Sequence, residues 1–159
     1  MIYQTDSGGQ RVKRSSSQPY RVLIADDDAA TRWALSTVLR NEGFEPLEAE
    51  HGNAALQILR DEWVDVLLLD LVMPGMNGLD VLRAVRQRDA ELPVILVTGH
   101  GTEDVAVQAG VHAAEGILTK PFRNDEVALG VRVALARRRL AKRKASAPRP
   151  RRRPLQAVN

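Results

Sequence analysis

Cysteine is absent from this 159-residue chain. Disulfides, thiolate metal sites and a cysteine nucleophile are therefore excluded, and the absence is compatible with a reducing compartment. Aromatic residues make up only 4% of the chain, so any core must be built from aliphatic side chains. No stretch approaches the roughly 18 apolar residues of a membrane-crossing helix. The first 20 residues mix charges with Ser, Gly and Gln and carry no apolar run, so no secretory signal is expected. A soluble, cytoplasmic protein without membrane contact is the expectation.

Acid is also missing from one end. The formal net charge is +3, yet residues 22–136 hold 9 basic and 19 acidic residues, a balance of −10. Residues 1–21 add +3, and residues 137–159 add +10 with no acid at all. The basic character belongs to the ends, and an acidic body argues against a nucleic-acid-binding globular part. The chain length suits one domain with tails.

What is present is organised around VDVLLLDLVMPGMNG, residues 64–78. A short apolar run closed by a carboxylate and then by Pro74-Gly75 and Asn77-Gly78 reads as a strand buried on both faces. Asp70 then stands at its carboxyl end, where open α/β sheets place ligand sites. Residues 1–19 are polar and aperiodic and are expected to form a disordered leader. Val22 to Ala25 reads as a buried strand ending in Asp26, Asp27 and Asp28. A helix over Ala29 to Glu42 follows, with Asp28 as its cap, a stripe of Trp33, Leu35, Val38 and Leu39, and Gly43 as its stop.

An outer strand over Phe44 to Ala49 and a helix over Ala54 to Glu62 precede the central strand. After it come a helix over Leu79 to Arg88, with Arg83, Arg86 and Arg88 facing solvent, and a buried strand over Pro93 to Val97 ending at Thr98. A fourth helix over Thr102 to Ala113, a strand over Gly116 to Thr119 ending at Lys120, and a last helix beginning near Asn124 complete the pattern. Alternation of strand and helix implies an α/β fold with a parallel sheet wrapped by helices. Periodicity leaves the strand order open. Trp33 and Trp63 are expected as partly buried anchors, and His51 and His112 as solvated.

Four strand ends thus carry polar groups: the Asp26/Asp27/Asp28 run, Asp70, Thr98 and Lys120. On one edge of a parallel sheet these converge. Clustered carboxylates repel and invite a cation, and an all-oxygen donor set selects a hard one, Mg²⁺ foremost. A carboxylate nucleophile with a hydroxyl and an ammonium opposite suits phosphoryl transfer, with Asp70 forming an aspartyl phosphate.

The segments VLIADDD, LLLDLVMPGMNGLDVL, PVILVTGHG and LTKPF resemble the receiver domain of bacterial two-component response regulators. The likeness covers roughly residues 20–140, leaving 141–159 as a basic, Pro/Arg-rich tail that is expected to be disordered once the last helix ends near Lys144, since Pro148, Pro150 and Pro154 forbid a regular helix. Asp27 to Asp70 spans 43 residues, Asp70 to Thr98 spans 28, and Thr98 to Lys120 spans 22. The resemblance implies a flavodoxin-like, doubly wound five-stranded sheet of order 2-1-3-4-5 with five helices. It also implies Asp70 as phosphoacceptor, Asp27 as direct Mg²⁺ ligand, Asp26 as ligand through water, and the Val72 backbone carbonyl as a further ligand. Thr98 becomes the responding hydroxyl, Lys120 the cation on the phosphoryl group, and Lys120-Pro121 a cis bond.

Two positions depart from the family: Ile117 replaces an aromatic residue three before the lysine, and Gly99 replaces a common alanine. With Val72 and His100 flanking the site, a long-lived phosphorylated form is expected.

The leading functional reading is a stand-alone response regulator that takes its phosphoryl group from a histidine kinase or phosphotransfer protein. It signals through a phosphorylation-dependent face to a downstream protein or to a second copy of itself. Such a protein is no enzyme toward other substrates and catalyses only its own phosphoryl transfer and dephosphorylation. No helix-turn-helix or ATPase loop pattern follows the domain. The alternatives are a receiver taken from a longer transcription regulator, or one whose basic tail binds nucleic acid. A phosphatase with an Asp nucleophile is disfavoured, since Asp70-Leu71-Val72 lacks a second carboxylate two residues on.

Overall fold

The computed structural model describes residues 3–5, 11–13, 18–99 and 114–146. Near the start, β1 (Tyr3–Thr5) and β2 (Arg11–Lys13) pair antiparallel, with Gln4 opposite Val12. The segment expected to be a disordered leader therefore contains a short ribbon. The fourth helix expected over Thr102 to Ala113, together with His100 and His112, lies outside the described residues.

Alternation governs the main sheet. Along β3 (Arg21–Ala25), β5 (Val66–Asp70) and β6 (Val94–Thr98), successive side chains turn to opposite faces. Leu23, Ala25, Leu67, Leu69, Val94 and Leu96 enter one apolar cluster. Val22, Ile24, Val66, Leu68, Ile95 and Val97 enter a second on the other side. With both faces apolar, each must be covered, which is why these strands read as continuous aliphatic runs. The helices α2 (Gly52–Asp61) and α3 (Gly78–Arg88) cover the first face. The second is covered by α1 (Ala29–Asn41) and α4 (Asn124–Ser146).

The five strands run parallel in the order β4 (Glu45–Ala49), β3, β5, β6, β7 (Gly116–Thr119). Counting sheet strands along the chain, this is the expected order 2-1-3-4-5. Pro46 is accommodated because β4 is an edge strand and its missing N–H leaves no interior ladder bond unmade. Among the described residues the helices number four, against the five expected.

Two expectations need correction. Trp33 is 70% exposed rather than part of the buried stripe of α1. At 100° per residue it lies about 200° from Leu35, on the far side of the helix from Leu35, Val38 and Leu39. Arg86 is half-buried, and its guanidinium donates to the Leu92 carbonyl at 2.7 Å instead of facing solvent. The last helix runs to Ser146, close to the end expected near Lys144.

The overhang of α4 is held by Arg138, which is buried beneath the amino ends of the strands. It donates to the carbonyls of Val64 (3.4 Å) and Asp65 (3.0 Å) and to Asp89 Oδ2 (3.2 Å). Its guanidinium also lies 5.5 Å from the centre of the Trp63 ring, in cation–π contact.

Candidate functional site

Register assembles the site. Ala25 pairs with Leu69, Asp70 with Val97 and Thr98 with Thr119, so the strands end together. The residues at and just past those ends are Asp26, Asp70, Thr98 and Lys120. β3 has β4 on one side and β5 on the other, so the loops leaving β3 and β5 turn apart and open a crevice at the switch point.

Local sequence sets the two acidic loops. Asp28 caps α1: its side chain accepts from the Thr31 N–H and hydroxyl, which holds its carboxyl below the usual carboxylate range. Asp26 Oδ1 accepts from Asp28 N–H at 2.9 Å, tying the cap to the site. At the second loop, Asn77 caps α3 through Asp80 N–H. Gly78 lies so close to the strand end that an added Cβ would meet the Asp70 carbonyl oxygen at 2.2 Å and Leu71 Cα at 2.7 Å.

Asp26 and Asp70 are buried, at 1% and 5% exposure, while Asp27 is exposed. One carboxylate oxygen from each of the three lies within 4.8 Å of the others. Lys120 Nζ reaches Asp26 Oδ2 at 2.8 Å and Asp70 Oδ2 at 3.3 Å, bridging the carboxylates. Asp70 Oδ1 accepts from Val72 N–H at 3.0 Å, while the Val72 side chain is 61% exposed. Thr98 is fully buried, and its Oγ1 has no hydrogen-bond partner among the described residues. A buried hydroxyl left unpaired is costly, and a polar group arriving from the crevice would relieve it. The Thr98 carbonyl accepts from Lys120 N–H at 2.7 Å, so hydroxyl and ammonium ride on bonded neighbours.

Burial and the neighbouring Asp26 charge push the Asp70 carboxyl above its ordinary value, against the Val72 N–H and Lys120. Burial alone would depress the Lys120 ammonium, but its hydrogen bond and attraction to Asp26, then those to Asp70, outweigh it and hold it above its ordinary value. Three carboxylates with no His or Cys among them form a hard, all-oxygen donor set, which fits Mg²⁺.

Asp26, Asp27, Asp70, Val72, Thr98 and Lys120 gather at this edge, with the Lys120-Pro121 bond cis. Ile117 lies in β7, 41% exposed. Sequence reasoning missed Arg32, whose guanidinium donates to the Asp26 carbonyl at 2.8 Å. His51 is exposed, as expected, but its capping role was missed: Nδ1 accepts from Ala54 N–H at the start of α2. His51 shares a cleft of about 510 Å³ with Asp27, Glu50, Pro74, Gly75 and Met76. The polar residue directly before a helical pattern was the signal for that cap. Nothing in the sequence marked Arg32.

A doubly wound α/β domain whose switch-point crevice joins an acidic trio, an ammonium and an unpaired hydroxyl belongs to the proteins that handle phosphoryl groups. Residues 22–132 match the family model of the response regulator receiver domain. The chain is 41% identical over 115 residues to the DNA-binding transcriptional regulator NtrC of Salmonella typhimurium, an alignment covering 72% of this chain and 24% of that protein. It is 40% identical over 118 residues to the DNA-binding response regulator MtrA of Mycobacterium leprae, covering 74% and 52%.

Among solved structures, a response regulator receiver domain protein from Clostridium thermocellum superposes with a TM-score of 0.73 at 28% identity, covering 77% of this chain and 98% of that one. NtrX from Brucella abortus superposes at 0.77 with 29% identity, covering 80% and 29%. The chain belongs to the response regulator receiver domain family, the phosphoacceptors of two-component signalling. It spans about a quarter of the length of the NtrC relatives and about half that of the MtrA relatives.

Proposed function

We propose that Asp70 is the phosphoacceptor and that the donor is the phosphohistidine of a histidine kinase or phosphotransfer protein. The observation that carries this reading is the Lys120 ammonium bridging Asp26 and Asp70 beside the unpartnered, buried Thr98 hydroxyl. An Asp70 carboxylate oxygen attacks phosphorus, the P–N bond breaks as the P–O bond forms, and the imidazole, protonated on its other ring nitrogen, keeps that proton and leaves as the neutral ring. Lys120 holds negative charge on the transferred group, and the Thr98 hydroxyl donates to one of its oxygens. Asp26, Asp27, Asp70 and the Val72 carbonyl would hold Mg²⁺, which when bound supplies positive charge to the phosphoryl oxygens. Turning of Thr98 shifts its bonded neighbour Lys120 and hence the end of β7, from which a signal passes to a protein partner. The setting is the cytoplasm, where such donors reside. Incubation with acetyl phosphate and Mg²⁺ should label the wild type and leave Asp70→Asn unlabelled; full labelling of Asp70→Asn would overturn the assignment.

A second reading concerns output to DNA. Residues 137–153 hold ten basic residues and no acid, and the NtrC and MtrA relatives are DNA-binding regulators. The chain would then serve as the receiver part of a longer regulator, or contact nucleic acid through its basic end by counterion release. Removing residues 147–159, which leaves α4 whole, should abolish salt-sensitive DNA binding while phosphorylation continues. Faster phosphorylation after removal would instead mean that the basic end folds back on the acidic body.

A further inference from the structure

Arg32 goes against a local rule. It stands in the first turn of α1, four residues after the cap Asp28, where unpaired N–H groups make the helix end positive and a cation is disfavoured. A contact outside the helix must offset that cost. Side chains of a helix tilt toward its amino end, so Arg32 reaches back over the loop between β3 and α1. Its Nη1 donates to the Asp26 carbonyl at 2.8 Å. The side chain is only 15% exposed, so the bond forms largely out of water. The rest of the guanidinium is anchored on the edge strand: Nε lies 3.7 Å from Glu48 Oε2 of β4. Glu48 Oε1 in turn accepts from the hydroxyl of the buried Ser36 at 2.5 Å. Arg32 is thus held from α1 and from β4 while it grips the end of β3.

What it grips is one peptide plane. The Asp26 N–H donates to the Ala49 carbonyl at 3.2 Å, and the Asp26 carboxylate accepts from Asp28 N–H and from Lys120. The carbonyl is the remaining polar group of that residue, and Arg32 takes it. Because the peptide is planar, fixing this carbonyl also fixes the nitrogen and Cα of Asp27. Asp27 is exposed, yet one of its carboxylate oxygens lies within 4.8 Å of oxygens of Asp26 and Asp70. The direction of an exposed side chain depends on the backbone that carries it. Charge by itself gives Arg32 the opposite effect, since a guanidinium beside an acidic trio repels a second cation. Position and charge therefore predict effects of opposite sign on metal affinity.

We infer that Arg32 is a positioning residue for Mg²⁺, locking the Asp26–Asp27 peptide so that both carboxylates meet Asp70 at the crevice. The inference rests on the assignment of Asp26, Asp27 and Asp70 as the metal-holding set. Groups that orient metal ligands typically carry about tenfold to hundredfold in metal affinity.

The test is Mg²⁺ binding to the unphosphorylated full chain, read by titration calorimetry at fixed ionic strength. Arg32→Met keeps an apolar stem but loses the charge and the donors, and it should bind Mg²⁺ about tenfold more weakly than the wild type. Arg32→Lys keeps the charge and can donate to the carbonyl, without the forked grip that also faces Glu48, and should recover part of that loss. In labelling by acetyl phosphate, the Mg²⁺ concentration for half-maximal rate should rise in Arg32→Met by more than the saturated rate falls. Circular dichroism and urea unfolding check the fold of each variant. A lowered urea midpoint with unchanged Mg²⁺ affinity in folded Arg32→Met would make the contact purely structural and overturn the inference. Tighter Mg²⁺ binding in Arg32→Met would overturn it as well, since charge repulsion would then prevail over position. Should Arg32→Met not fold, Arg32→Lys carries the test, and affinity equal to or above the wild type's decides against the inference. Asp27→Ala checks the underlying assignment. Weakened binding there, with wild-type affinity in Arg32→Met, refutes the positioning role alone. Wild-type affinity in Asp27→Ala refutes the metal-holding set and this inference with it.

Discussion

Gly78→Ala separates local preference from tertiary constraint. By intrinsic helix preference, alanine near the start of α3 is favoured over glycine by up to roughly 1 kcal/mol, and it also lowers the entropy of the unfolded chain. The fold reverses the sign. An added Cβ would stand 2.2 Å from the Asp70 carbonyl oxygen and 2.7 Å from Leu71 Cα, whereas real Cβ contacts stay beyond 3.0 Å. The obstructing atoms are backbone, so relief requires α3 to move away from the end of β5 by about 0.8 Å. Overpacking of this kind costs about 1–3 kcal/mol. Separation also strains the Gly78 N–H to Leu71 carbonyl bond, 3.0 Å here, worth about 1 kcal/mol.

The net expectation is destabilisation by about 2–3 kcal/mol. With a urea slope of about 2 kcal/mol per molar, the midpoint falls by about 1–1.5 M. Because the displaced backbone carries Asp70, labelling by acetyl phosphate should slow as well. Gly130→Ala is the control, since its Cβ would meet Ile95 Cδ1 at an ordinary 3.6 Å. It should raise stability by roughly 0.5–1 kcal/mol through helix propensity alone. A midpoint unchanged or raised in Gly78→Ala would refute the close-approach reasoning.

Other outcomes are equally direct. Val72→Asn places an amide on an exposed position two residues past Asp70 and should hasten loss of phosphate; an unchanged decay rate would count against any part for Val72 in shielding the site. Arg138→Met removes hydrogen bonds to two buried carbonyls and to Asp89 and should cost about 2–3 kcal/mol in urea unfolding. It should also change the emission of Trp63, against which the guanidinium lies. Trp33→Phe, at a 70% exposed position, should shift stability by less than about 0.5 kcal/mol. Asn77→Ala removes the α3 cap and should destabilise by about 1 kcal/mol, with Asn77→Ser restoring most of the loss.

The strands and the polar residues at their ends were legible from the chain alone. Buried parallel strands must be aliphatic along their whole length, so a carboxylate, hydroxyl or ammonium that closes such a run stands out. The cap at Asp28, the stop at Gly43 and the cis bond before Pro121 were likewise readable, because each depends on neighbours in sequence or on a motif. Where sequence reading failed, the deciding partner was remote. Trp33 was counted with the apolar stripe of α1, but the sheet and α4 lie on the other side of that helix. The half-burial of Arg86 follows from the Leu92 carbonyl, which accepts from it six residues away. Arg138, one cation in a basic run, differs from its neighbours only because it lies under strand ends 73 and 74 residues earlier in the chain. Gly78 looks like a turn glycine in the sequence, while in the fold its space is occupied by the backbone of the strand that carries Asp70. Helical phase and strand alternation belong to the local chain, whereas burial and close approach are properties of pairs that only the folded sheet brings together.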